Sequence, residues 1–114
     1  MTDKIAVEAD KLKLGFVIVK EISTFQPRSS ISFQSSEEIL RAIEETKELA
    51  KWGMAKNRHK MKKAAINILN SILCCEPEAP VNLNLTKYEL KSIKALRKLI
   101  KRSLEKRKDG VVFK

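Results

Sequence analysis

The chain has 114 residues, enough to bury one hydrophobic core and too few for two. Its 24 Lys and Arg against 14 Asp and Glu leave a formal charge of +10, which suits a polyanionic partner. With 43% apolar and 33% charged residues but only three Gly and three Pro, the composition disfavours a disordered chain and a turn-rich all-β fold.

Ile5, Ala9, Leu12, Phe16 and Val19 recur at steps of four and three and predict a helix over residues 3–22. The β-branched cluster Phe16-Val17-Ile18-Val19 leaves a buried strand as the alternative. Residues 23–36 hold Pro27 and six serines (Ser23, Ser29, Ser30, Ser32, Ser35, Ser36) and read as a Ser-rich linker, because hydroxyls compete with the backbone ladder. Ser35, three residues before Glu38, has capping-box spacing and opens a second helix that runs to about Trp52 behind Ile39, Ala42, Ile43, Leu49 and Ala50. Gly53 and Asn57 interrupt it. A third, more apolar stripe follows, through Met61, Ala64, Ala65, Ile68, Leu69, Ile72 and Leu73, and is expected to be central.

Pro77 and Pro80 stop that helix and make 76–85 a Pro-containing loop, extended from Val81 to Leu85. Thr86 and Glu89 repeat the capping-box spacing, and Leu90, Ile93, Leu96, Ile100 and Leu104 mark a last helix to about Arg107. Asp109-Gly110 is expected to end it, leaving an apolar tail over 110–114 that folds back or docks on another chain. No internal repeat is evident. The expected fold is all-α, a single helical domain over 1–114 built as a compact bundle of three to four helices. The alternative is an α+β fold with an N-terminal β-hairpin in residues 12–34.

Enzymatic chemistry lacks its usual supports. Gly15, Gly53 and Gly110 stand too far apart for a phosphate loop or a nucleophile elbow. His59 lies among Arg58, Lys60, Lys62 and Lys63, without a carboxylate to orient it as a base. One histidine and the adjacent Cys74 and Cys75 fall short of a four-ligand zinc site, so no metal and no cofactor are expected. Neighbouring cysteines close no useful disulfide loop and are expected as buried, reduced thiols. Apolar runs such as Phe16 to Val19 fall far short of the roughly 20 residues a membrane span requires. The charged start through Lys13 is unlike a secretory signal, so a cytoplasmic address is expected.

The positive charge falls in two blocks. Lys51, Lys56, Arg58, Lys60, Lys62 and Lys63 meet no acid between residues 51 and 63. In the last helix Lys87, Lys91, Lys94, Lys98 and Lys101 recur at steps of four and three and line one ridge, joined by Arg102. A helix stabilised by its own charges interleaves Glu with Lys, whereas bases outnumber acids several-fold over 86–114. The expected function is therefore a small basic nucleic-acid-binding accessory or regulatory protein that contacts DNA or RNA backbone through these twelve residues. A purely solvated lysine surface is the bland alternative.

Lys outnumbers Arg, which favours point-charge contact with phosphate over reading of guanine edges, and Leu49 to Ala65 does not fit a helix-turn-helix. Trp52 and Tyr88 stand beside the basic blocks, where stacking on bases is one reading, while Trp52, at a helix end, is expected in the core. The competing functional reading is a helical protein interaction module, an inhibitor, immunity-type or assembly factor for an acidic partner. Peripheral contact with anionic lipid is a third, and a homodimer is admitted because a short bundle often completes its core with a second copy.

Overall fold

A computed structural model describes residues 2–55 and 58–111, with side chains described for 11–55 and 58–105. Its elements run α1 (Thr2–Ser23), β1 (Ser30–Gln34), α2 (Glu37–Gly53), α3 (His59–Leu73), β2 (Pro80–Asn84) and α4 (Lys87–Val111). The architecture is a four-helix bundle closed at one end by a two-stranded ribbon.

Each helix forms where the apolar spacing puts one face inward. The buried faces are Leu12, Gly15, Val19 and Ile22 on α1, Ala42, Ile43, Thr46 and Ala50 on α2, Ala65, Ile68, Leu69 and Ile72 on α3, and Leu90, Ile93, Leu96 and Ile100 on α4. α1 packs against α4 and α2, and α3 against α2 and α4, while α2 and α4 also touch across the centre. The two helices that follow the strands are thus the central ones, and α3, expected there on its apolarity, lies to the side.

Thr86 and Glu89 cap α4 reciprocally: the Thr86 amide donates to Glu89 Oε1 at 2.9 Å and the Glu89 amide donates to Thr86 Oγ1 at 3.2 Å. At α2 the cap shifts by one residue. Ser36 Oγ accepts from the Ile39 amide at 3.2 Å, while Ser35 is buried and donates to the Glu76 and Ala79 carbonyls at 2.7 and 3.0 Å. The expected pairing of Ser35 with Glu38 fails because that hydroxyl fastens the segment to the opposite turn. α4 continues through Gly110 to Val111, past the expected stop. The tail lies outside the described residues from 112 onward.

The Ser-rich segment carries β1. Strand does form inside residues 12–34, at 30–34, but its partner lies in the second half of the chain, and 12–23 stay helical. The strands alternate: Ile31, Phe33, Val81 and Leu83 face the core, and Ser30, Ser32, Gln34, Pro80, Asn82 and Asn84 face out. Ile31 opposes Leu83 and Phe33 opposes Val81, so one face of the ribbon forms a lid on the bundle.

The register exposes an internal duplication. Ser32 opposes Asn82 and donates to its Oδ1 at 2.8 Å, and these residues stand 50 apart in the chain. The same offset superimposes the secondary structure of 21–50 on that of 71–100 residue for residue, and the burial pattern of 41–50 on that of 91–100. Among the described residues Arg28 and Glu78 are the two non-glycines with positive φ, at 64° and 71°, each in the turn after a helix and Pro27 or Pro77. The Arg28 amide donates to the Leu85 carbonyl at 2.8 Å and the Glu78 amide to the Ser35 carbonyl at 3.1 Å, which is one bond made twice. The chain is therefore two helix–strand–helix units related by an approximate two-fold axis between Ser32 and Asn82, a repeat that its sequence conceals.

The two units differ where the backbones come closest. A Cβ on Gly15 would collide with Thr46 Oγ1 and sit 3.4 Å from the Ala42 carbonyl oxygen, so α1 approaches α2 through the missing side chain. Thr46 itself is fully buried and donates to the Ala42 carbonyl at 2.8 Å, which satisfies its hydroxyl. Ala65 and Leu96 occupy the matching positions in the second unit, both fully buried.

Candidate functional site

The helix ends divide the molecule into two poles. At the ribbon pole Glu37, Glu38, Glu76 and Glu78 are exposed, outnumbering Arg28 and Lys87. Glu37 and Glu38 occupy the first turn of α2, where the helix dipole favours anionic side chains. The outward face of the ribbon is uncharged, and this acidic rim makes that pole unattractive to phosphate.

Along α4 the charge is reversed. Lys87, Lys91, Lys94, Lys98, Lys101 and Arg102 are all exposed, on the side away from the buried Leu90, Ile93, Leu96 and Ile100. From Lys87 to Lys101 the ridge extends about 21 Å at 1.5 Å per residue. Among the described residues two ion pairs occur, Arg41 with Glu37 at 2.7 Å and Lys51 with Glu48 at 3.6 Å, and neither involves α4. Arg97, on a more buried face of α4, is directed inward and donates to Ser23 Oγ at 3.3 Å, fastening the end of α1.

The first basic block is less uniform. Lys51, Arg58, Lys60 and Lys63 are exposed, Lys62 is half-buried, and Lys56 lies outside the described residues. α3 begins at this block with no side-chain cap and no acid in its first turn, which leaves the positive end of its dipole uncompensated.

Folding brings the two blocks together at one place. The end of α2 crosses α4 where Gly53 has no side chain: a Cβ there would lie 3.0 Å from Leu99 Cδ2. Beside that crossing a cleft of about 460 Å³ opens, with Gly53, Met54, Ala55 and Arg58 on one wall and Ala95, Leu99, Arg102 and Ser103 on the other. Arg58 and Arg102 thus share one cleft although they come from different basic blocks of the sequence. Gly53, Leu99 and Ser103 are not apparent as site residues from the sequence; a glycine at a helix end beside an aromatic residue is the one local sign.

Several side chains lie elsewhere than expected. Trp52 is 83% exposed and Tyr88 46% exposed, so neither belongs to the core. Trp52 follows the last inward position of α2, Ala50, and precedes Gly53, where the facing surface is too close to admit an indole. Cys74 is exposed and Cys75 half-buried, because α3 ends at Leu73 and the thiols fall in the turn beyond it. The Cys75 thiol donates to the Ser71 carbonyl at 3.7 Å. His59 is exposed at the start of α3.

Among the described residues no cluster of three or more His, Cys, Asp or Glu is placed to hold a metal ion, and no helix is long and apolar enough to cross a membrane. No family model, no curated protein and no solved structure matches the chain, so its geometry stands as the guide to what it does.

Proposed function

We propose that the protein binds nucleic acid by its phosphate backbone, along the outer ridge of α4 and across the α2–α3 junction. The supporting observation is the row Lys87, Lys91, Lys94, Lys98 and Lys101, all exposed and none within ion-pair distance of a described carboxylate. Parallel ammonium groups repel one another in the free protein, and a polyphosphate removes that cost while releasing its own condensed counterions. A ridge of about 21 Å covers roughly six phosphates of one duplex strand at about 3.4 Å each. Arg58 extends the cationic surface at the cleft beside α4, and Lys51, Lys56, Lys60, Lys62 and Lys63 belong to the same basic block of the sequence.

The role is that of an accessory or regulatory binder with backbone contacts and no chemistry of its own. Titration of labelled duplex DNA, single-stranded DNA and RNA at two salt concentrations tests it. Affinity for duplex DNA should fall about 1000-fold or more between 50 and 200 mM salt. The combined reversal Lys91→Glu, Lys94→Glu, Lys98→Glu and Lys101→Glu should abolish binding, with the circular dichroism of the fold intact. Salt-insensitive binding, or none, overturns the proposal. Equal binding of polyglutamate moves the assignment to a helical interaction module for an acidic protein.

A further inference from the structure

Trp52 contributes little to the packing of the bundle. Its indole is 83% exposed on the last turn of a helix whose buried face is already complete with Ala42, Ile43, Thr46 and Ala50. Stripped of its indole, the fold would lose almost nothing. One exposed aromatic is ordinary on a protein surface, and Trp52 gains significance from the cationic groups that lie near it in the chain.

What surrounds it narrows the partner. One residue on, Gly53 begins the cleft, whose lining combines the apolar Met54, Ala95 and Leu99 with Arg58 and Arg102. Both arginines are exposed, and neither enters an ion pair among the described residues. A ligand that satisfies all three features has a flat π-face for the indole, a compact body for a cleft of about 460 Å³, and an anionic group within reach of both guanidiniums. An unpaired nucleotide within a strand has this combination. In a duplex the same bases are stacked on one another and shielded from the indole.

Resting on the backbone-binding reading above, we infer that this corner makes the protein a single-strand binder: an unpaired base stacks on Trp52 while its flanking phosphates meet Arg58 and Arg102, and the rest of the strand follows the lysines of α4. Stacking of this kind tolerates any base, because each presents a π-face. The inference covers DNA and RNA alike, since the indole meets the base and not the sugar.

Trp52 is the sole tryptophan of the chain, so its emission reports directly on the site. The full-length protein is titrated with a 12-residue oligothymidylate, a 12-residue oligouridylate, a 12-base-pair DNA duplex and inorganic polyphosphate. Both single strands should quench the emission and bind more tightly than the duplex, while polyphosphate binds without quenching. Trp52→Ala should weaken the oligothymidylate roughly tenfold and leave polyphosphate unchanged, and Trp52→Phe should restore most of the loss. Preference for oligouridylate over oligothymidylate at equal quenching would assign the site to RNA, and the reverse to DNA. Salt-dependent binding with unquenched emission, or equal quenching by duplex, overturns the stacking inference and leaves the α4 ridge standing. Failure of every polyanion to bind overturns both.

Discussion

Residues 41–50 and 91–100 bury and expose the same positions in the same order, yet one surface is acidic and the other basic. Position by position, Glu44 matches Lys94, Glu48 matches Lys98 and Glu37 matches Lys87. Inward, Ile43 matches Ile93, Ala50 matches Ile100 and Leu49 matches Leu99, all apolar, while Thr46 against Leu96 and Ala42 against Ser92 depart from the match. A helix–strand–helix unit of this kind is specified by its apolar positions and by two turns. Its outer face is free to take either sign, and the asymmetry of charge within a nearly symmetric fold is the feature on which the proposed binding face of α4 rests.

The sharpest break of that comparison is a matched pair of core truncations. Ile43→Ala and Ile93→Ala each remove a fully buried side chain at equivalent places, and each should cost about 3 to 4 kcal/mol in urea denaturation. Agreement within about 1 kcal/mol upholds the equivalence; a cost confined to one half denies it. Next in size comes Gly15→Ala, which should destabilise by about 1 to 2 kcal/mol. Crowding of Thr46 outweighs the roughly 1 kcal/mol of helix propensity that alanine gains over glycine. Thr46→Ala in the same chain should recover most of the loss, a coupling that an unrelated defect at Gly15 would not produce. The smallest effect on stability belongs to Glu44→Lys with Glu48→Lys, within about 0.5 kcal/mol because both positions are surface charges. That double variant copies the α4 pattern onto α2. It should raise the number of polyphosphate ions bound per chain, measured by calorimetry, and an unchanged number would separate the basic ridge from binding.

Much of the bundle could be read from residue spacing. The Thr86–Glu89 box, the Leu90 to Leu104 stripe and the Pro77 stop each act locally, so a short window of sequence contains their cause. The ribbon could not be read this way. Ser-Ile-Ser-Phe-Gln and Pro-Val-Asn-Leu-Asn are too short and polar to declare themselves as strands, and each becomes one only by pairing with the other across the chain. The duplication was hidden for the same reason that it matters. Identity survives at few places, among them Lys13 and Lys63, Ile18 and Ile68, Ile22 and Ile72, Pro27 and Pro77, and Leu40 and Leu90, while Glu37, Glu44 and Glu48 have Lys at the matching positions and Arg41 and Lys51 keep a cation there. Of the candidate site, the lysine ridge followed from helical periodicity. The joining of Arg58 to Arg102 did not, because it depends on how closely Gly53 lets α2 approach Leu99.

The crossed hydrogen bonds at the two turns carry a consequence for how the molecule melts. Each turn hands its amide to a carbonyl at the end of the other unit's strand, Arg28 to Leu85 and Glu78 to Ser35. Each bend is closed within its own unit by the Ser29 amide on the Gln26 carbonyl or the Ala79 amide on the Glu76 carbonyl, and the crossed bond then ties it to the other unit. Loosening one bend should therefore weaken its counterpart, so that the two units are expected to melt together as one cooperative unit.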